Sequence, residues 1–351
     1  MRKLLADIGK REGRPMSIPR FRVGGALFGL ILSVAACGGS TVSDGSDSAT
    51  QDASSQERPS KEALLVGFNE SLAEAQQSQG PGSPAMWRLS DEDTVIHLFG
   101  TVHLLRPELE WRTDTFDEAV AAADTIVFEV DMKSPAAQRA IATDFLQRGM
   151  FDDGRTLKEV LNEDDEAVIS AAFDSLGVPI DAMNTFEPWM ASVNLGVMKL
   201  VNDGYDPNSG VESVIEAEAA SAGKAFGYLE EISQQTDAFD LLPEDEQISM
   251  LYETALLLDE SPRMLDLLVD EWADGDIEGI ANLVANPDGY GFTDAAYQAL
   301  LVKRNEAWVP QIEAMLDEPG SVFIAVGAGH LAGPDSVVTM LRDKGYEIEG
   351  P

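Results

Sequence analysis

The 351-residue chain predicts an α/β fold: a mostly parallel mixed sheet flanked by helices, with a helical insertion or cap. Three observations lead there. Short β-rich apolar runs alternate with long stretches of helical spacing. Helical pattern over 136–220 and 240–318 exceeds what the faces of such a sheet need. Two of the strand-like runs, "VIHLFGTVHLL" and "VFIAVGAGHLAG", end in the same Gly-x-x-His.

The elements follow in order. Strands are predicted at Val95–Phe99, Thr125–Val130, Ala225–Leu229 and Val322–Val326. Helices are predicted over Asp114–Ala123 and from near Leu157 to a stop at Gly177. Another runs through "GVESVIEAEAASAGK" to Gly223, and one opens with Ser261 as N-cap and Pro262 at the first helical position. Hydrophobic residues make up 44% of the chain, enough for a sizeable core. From 62 to 351 no repeat, low-complexity break or membrane span interrupts the pattern, which reads as one domain.

The N-terminus reads differently. Residues 1–22 hold seven basic and two acidic side chains, and "VGGALFGLILSVAAC" follows. An apolar run of about 14 residues is short for a membrane span and suits a signal-peptide core. Val34-Ala35-Ala36-Cys37 resembles a bacterial lipobox, so 1–36 is expected to be a lipoprotein signal peptide and Cys37 the lipidation site. Met16 is an alternative start that leaves this reading unchanged. Residues 37–61, rich in Ser, Asp and Gly, read as a flexible tether. The expected location is the bacterial cell envelope, with the membrane a partner through the N-terminal lipid. Gly38, standing where an aspartate would signal inner-membrane retention, leans toward the outer membrane facing the periplasm.

The formal charge is −38, from 62 acidic and 24 basic residues. Such a surface repels polyanions, so nucleic acid is not an expected partner. Cys37 is the one cysteine, which rules out an intramolecular disulfide. There is no Gly-x-Ser-x-Gly elbow, no P-loop and no His-Glu-x-x-His.

The three histidines are His97, His103 and His330. His103 and His330 each stand three residues past a glycine at a strand end, where open α/β sheets place their sites. Glu129 and Asp131 reach the same rim from "FEVD", and Glu230 follows the Ala225 strand. Two imidazoles and one or two carboxylates compose a divalent-metal site, suited to Zn, Mn, Fe or Co. Each piece also has a structural reading. His97, inside its strand, reads as a buried, hydrogen-bonded residue. Glu129, in an apolar run, needs either an arginine or a metal. Glu230 and Glu231 could equally form the acidic first turn of a helix.

At these residues the chain resembles the TraB/GumN-like proteins, relatives of the Tiki metalloproteases and, more distantly, of erythromycin-esterase and ChaN-like haem-binding lipoproteins. The resemblance covers about 85 to 349. It is carried by "MWRLSDEDTVIHLFGTVHLL", "TIVFEVDM", "FEPWMASVNL", "GVESVIEAEAASAGKAFGYLEEISQQ", "VKRNEAWVPQIEAML" and the closing "VFIAVGAGHLAGPDSVVTMLRDKGYEI". It implies a metal-dependent hydrolase acting on a peptide or protein. His103 and His330 would be metal ligands, and Glu129 and Glu230 a further ligand and the general base in either order. Arg304 and Asn305 would steady a carboxylate or oxyanion. Glu212 stands where the family more often has aspartate, a change expected only to shift packing. The ChaN-like kin imply an alternative, a haem- or iron-binding lipoprotein without hydrolase activity. A third reading is an esterase-like hydrolase that uses a histidine base without metal.

Overall fold

A computed structural model describes residues 58–285 and 294–351. The signal peptide, Cys37 and most of the tether lie outside the described residues. No helix among the described residues is long and apolar enough to cross a membrane.

Six strands form one mixed sheet: β1 Met86–Ser90, β2 Thr94–Thr101, β3 Thr125–Phe128, β4 Ala225–Tyr228, β5 Gly320–Gly327 and β6 Ile348–Glu349. Their spatial order is β4-β3-β5-β2-β1-β6. β4, β3, β5 and β2 run parallel, while β1 and β6 close one side in antiparallel pairing. The predicted mostly parallel mixed sheet is therefore present, extended by a hairpin. That hairpin turns at Asp91, whose carboxylate accepts from the backbone N–H of Asp93 and Thr94 at 3.1 and 2.8 Å.

The β2–β5 register decides the geometry of the site. It pairs Gly100 with Val326 and Thr101 with Gly327, so the two Gly-x-x-His segments leave the sheet side by side. β3 lies next to β5, and β4 next to β3. All four parallel strands thus deliver their carboxyl ends to one rim.

Two long helical excursions separate β3 from β4 and β4 from β5. Part of them builds its own apolar cluster, in which Leu157, Ile169, Phe173, Leu195 and Leu251 are buried together. This cluster joins Glu163–Ser175, Pro188–Asn202 and Glu244–Leu256, and it is the expected helical insertion. Its Pro188 opens a helix whose next residue, Trp189, is fully buried.

Some elements differ from expectation. β3 ends at Phe128 and β4 at Tyr228, so Glu129 is the first residue past its strand rather than within it. The helix expected from Leu157 to Gly177 is two, because Asn162 caps a new start by accepting from the Asp165 N–H at 2.8 Å. Ser261 is the first helical residue of Ser261–Asp274, with Glu260 at the N-cap. His97 is half-buried, not buried: it sits across from Arg88 and beside the Phe323 ring, and its Nδ1 has no hydrogen-bond partner. Burial, then Arg88, holds its pKa below the usual histidine value. Mid-strand, it lies away from the rim where His103 and His330 meet.

Candidate metal centre and active site

The rim brings His103, Glu129, Glu230, Arg304, Asn305 and His330 into one connected cluster. Arg304, on the helix Lys303–Met315, is its hub and is 7% exposed. Its Nη2 donates to Glu129 at 2.7 Å and to Glu230 at 2.6 Å, and Nε donates to the second Glu230 oxygen at 3.1 Å. Nη1 donates to the Leu300 carbonyl at 3.0 Å and meets His330 Nε2 at 3.1 Å. The planar fork fits this work, since it binds two carboxylates at fixed angles. Burial alone would lower the guanidinium pKa; Glu230 and Glu129 outweigh it and hold Arg304 firmly protonated.

Both carboxylates have further partners. Glu129 accepts from the Gly327 N–H at 2.7 Å and from Gln235 at 3.1 Å. Glu230 accepts from the Trp308 indole N–H at 3.3 Å. Glu230 is thus engaged on both oxygens by Arg304 and Trp308. Glu129 keeps one oxygen turned toward the histidines, 3.9 Å from His330 Nε2.

His330 is fully buried. Its Nδ1 lies 2.6 Å from Asn305 Oδ1, and the same amide donates through Nδ2 to the Asp335 carbonyl at 2.8 Å. That second bond orients the amide, so Nδ1 carries the proton and Nε2 presents a lone pair. Burial, then the charges of Arg304 and His103, depress its pKa well below the usual value and keep it neutral.

His103 is braced the same way by a different residue. Its Nδ1 lies 2.5 Å from Glu212, whose carboxylate also accepts from the Thr101 hydroxyl. Burial pulls the His103 pKa down, but the Glu212 charge and hydrogen bond prevail and raise it; the Glu212 pKa is lowered in turn, against its own burial. His103 Nε2 is buried and has no partner.

Glycine lets these parts meet. At Gly210 a Cβ would run into the His103 carbonyl oxygen, so glycine allows the helix Val211–Ala222 to dock there and carry Glu212 to the imidazole. At Gly327 a Cβ would stand 3.2 Å from Glu129 Oε1 and 3.6 Å from both His103 Nε2 and His330 Cδ2. One point in space therefore faces all three side chains. His103 and His330 also line a shared cavity of about 30 Å³, room for a single small occupant.

The donor chemistry fits a divalent cation. Each imidazole is held at Nδ1 by an oxygen and offers Nε2, the arrangement typical of histidine ligands and their supporting shell. Three carboxylates, Glu129, Glu212 and Glu230, share this cluster with the one guanidinium of Arg304, leaving negative charge for a cation to balance. Among the described residues no three His, Cys, Asp or Glu side chains already stand at ligand spacing. Arg304 Nη1 lies 3.1 Å from His330 Nε2, so the guanidinium would have to release that lone pair before His330 could hold a metal.

A model of the TraB/PrgY/gumN family matches residues 85–350. The chain belongs to this family. Among its relatives is an uncharacterized protein of Treponema pallidum, 22% identical over 74% of this chain and 80% of that protein. The uncharacterized protein YbaP of Escherichia coli is 22% identical over 70% of this chain and 88% of its own. The human metalloprotease TIKI1 is 23% identical over 75% of this chain, a match that spans 61% of TIKI1. No solved structure gives a significant match.

Within this TraB/PrgY/gumN member, two expected neighbours stay outside the cluster. Asp131 accepts from the backbone N–H of Lys133 and Ser134 and so shapes the turn after β3. Glu231 caps the helix Ile232–Asp240 in a capping box with Gln234, while Glu230, one residue earlier, is 7% exposed in the cluster. Glu212 does more than shift packing, because it holds the His103 ring. Thr101, Gln235 and Trp308 also join the cluster, and sequence reasoning gave them no role. Thr101 and Gln235 lay inside quoted family segments, and Trp308 four residues past Arg304 was a legible helix-face neighbour.

Proposed function

We propose that this protein is a metal-dependent hydrolase that cleaves peptides at the cell envelope, tethered by lipid on Cys37. The observation that carries the reading is the convergence of His103 Nε2, the neighbourhood of His330 Nε2 and Glu129 Oε1 on one point beside Gly327. Kinship with the metalloprotease TIKI1 supports the same class of chemistry. The metal would be held by His103, His330 and Glu129, and Mn, Zn, Co and Fe all suit that set. Such a cation supplies Lewis acidity to polarise a carbonyl.

The chain's own residues do the rest. Glu212 and Asn305 fix the two imidazole rings and their Nδ1 protons, so both Nε2 atoms stay aimed inward. Arg304 holds Glu129 and Glu230 immobile in a buried cluster. Preorganised charge of this kind is worth more in a dry pocket than in solvent. His103 Nε2 and Glu129 Oε1 face the same point beside Gly327, so Glu129 serves as a ligand and not as the base in this reading. Both groups are within reach of the outer cavity that His103 and Glu129 line.

The test is metal content by mass spectrometry on the purified full-length protein and on the His103→Ala/His330→Ala double variant. Circular dichroism shows whether both are folded. Near-stoichiometric metal in the parent and its loss from a folded variant is the expected result. No metal in either after reconstitution with each of the four ions overturns the reading. The anchor is tested separately by incorporation of labelled fatty acid, which Cys37→Ala should abolish.

A further inference from the structure

Beside His103 opens a cavity of about 590 Å³ whose contents the chemistry above leaves unspecified. Phe128, Met132 and Tyr228 supply apolar wall. The opposing wall is one face of the helix Val211–Ala222, where Glu212 and Glu216 stand one turn apart. Lys133 reaches over from the turn after β3 and sets its Nζ 2.8 Å from Glu216. The lysine side chain is 53% exposed and that of Glu216 only 19%, so the acid belongs to the wall and the cation comes in from the mouth. At the inner end stands His103, 9% exposed, with Nε2 unpartnered. The Tyr228 hydroxyl reports on the same space: burial first, then the charges of Asp131 and Glu216, push its pKa up to about 12.

We propose that this cavity is the side-chain subsite of the peptide substrate, and that it selects lysine or arginine, whose cationic end pairs with Glu216 in place of Lys133. The proposal rests on the peptidase reading above. Lys133 occupies the acid as a substrate ammonium would, on a stem long enough to leave. An exposed ion pair of this kind is worth at most about 1 kcal/mol, so the exchange costs little. A long basic side chain can lay its methylenes on Phe128, Met132 and Tyr228 while its head stays polar. An acidic side chain would meet Glu212 and Glu216, and among the described residues lining the cavity Lys133, already paired with Glu216, is the only lysine or arginine. The net charge of −38 attracts cationic peptides from a distance and says nothing about where they dock.

The experiment uses blocked hexapeptide pools with lysine, arginine, norleucine or glutamate fixed at the central position. Equilibrium dialysis reads binding, and mass spectrometry reads cleavage. The full chain is compared with Glu216→Gln, Lys133→Met and Glu92→Gln. Glu92 is exposed in the β1–β2 turn at the opposite end of the sheet, so its variant makes the same change in net charge elsewhere. The parent is expected to bind the lysine and arginine pools about three- to fivefold more tightly than norleucine, a difference below about 1 kcal/mol. Glu216→Gln should lose most of that preference, Glu92→Gln should keep it, and Lys133→Met should increase it. Equal binding of lysine and norleucine pools, or a preference untouched in Glu216→Gln, overturns the subsite. Selective binding with no cleavage of any pool sinks the peptidase reading and sustains the subsite. Unselective cleavage does the reverse, and neither binding nor cleavage sinks both.

Discussion

Replacing Arg304 with methionine isolates the charge at the centre of the site. Methionine keeps much of the apolar stem and removes the guanidinium. Two carboxylates then lose a partner at 2.7 and 2.6 Å, in a position where the arginine is 7% exposed. With charge centres about 4 Å apart and an effective dielectric near 20, each attraction is roughly 4 kcal/mol gross. Desolvation of the ions offsets part of this, and breaking a buried pair by removing one partner costs about 3–5 kcal/mol. That is a third or more of the total stability of many domains. For a domain of this size it corresponds to a drop in Tm of roughly 5–10 °C. The check is urea denaturation of the parent, Arg304→Met, Glu230→Gln and the double variant. Because Glu230→Gln removes a charge that Arg304→Met strands, the double variant should cost less than the sum, by about 1–3 kcal/mol. Glu129 remains unpaired, so rescue should be partial. A single variant within about 1 kcal/mol of the parent, or strictly additive costs, would refute the view of Arg304 as the hub.

Two further outcomes follow from particular contacts. Gly327→Ala places a methyl 3.2 Å from Glu129 Oε1 and 3.6 Å from His103 Nε2, at a backbone φ of −50° that any residue accepts. It should fold normally by circular dichroism yet lose metal, and peptidase activity with it, because the methyl takes up the point that the three side chains face; full metal occupancy in the variant counts against the proposed centre. Glu187 gives a pH signature, because burial, then Asp240 and other acids against Arg155, pushes its carboxyl up to about 7. A folded-state value above the unfolded one near 4.3 means that its contribution is complete below about pH 4.3 and lost as pH rises through 7. Glu187→Gln should therefore raise Tm at pH 8 and leave it unchanged at pH 4, and the opposite trend in thermal melts would disprove the shift.

The strands were legible because their residues are apolar, β-branched and bounded by turn formers. Their ends were not, since nothing local distinguishes Phe128 from the Glu129-Val130 that continue the apolar run. Likewise the helix from Leu157 has unbroken periodicity, and only the capping bond from Asn162 to Asp165 shows the break. Glu129 posed an open choice between an arginine and a metal. The fold gives it Arg304, 175 residues away, and leaves its other oxygen facing the histidines. Glu212 shows the limit most clearly. A conservative change from aspartate in a helix start reads as packing, and only the docking of Gly210 onto His103 reveals a carboxylate against an imidazole.

By itself the sequence determined which chemistry-bearing residues exist and that they fall at strand ends. Scarce histidines in repeated Gly-x-x-His contexts, an acid at the end of an apolar run and an Arg-Asn pair are local facts that need no coordinates. Tertiary structure alone decided their partners. Pairing Thr101 with Gly327 in the β2–β5 register set the two histidine loops side by side. Docking of two distant helices then gave one ring Glu212 and the other Asn305, and put Arg304 between Glu129 and Glu230. Hydrogen bonds and ion pairs act over about 3 Å, whereas the segments that meet here are separated by 25 to 198 residues along the chain.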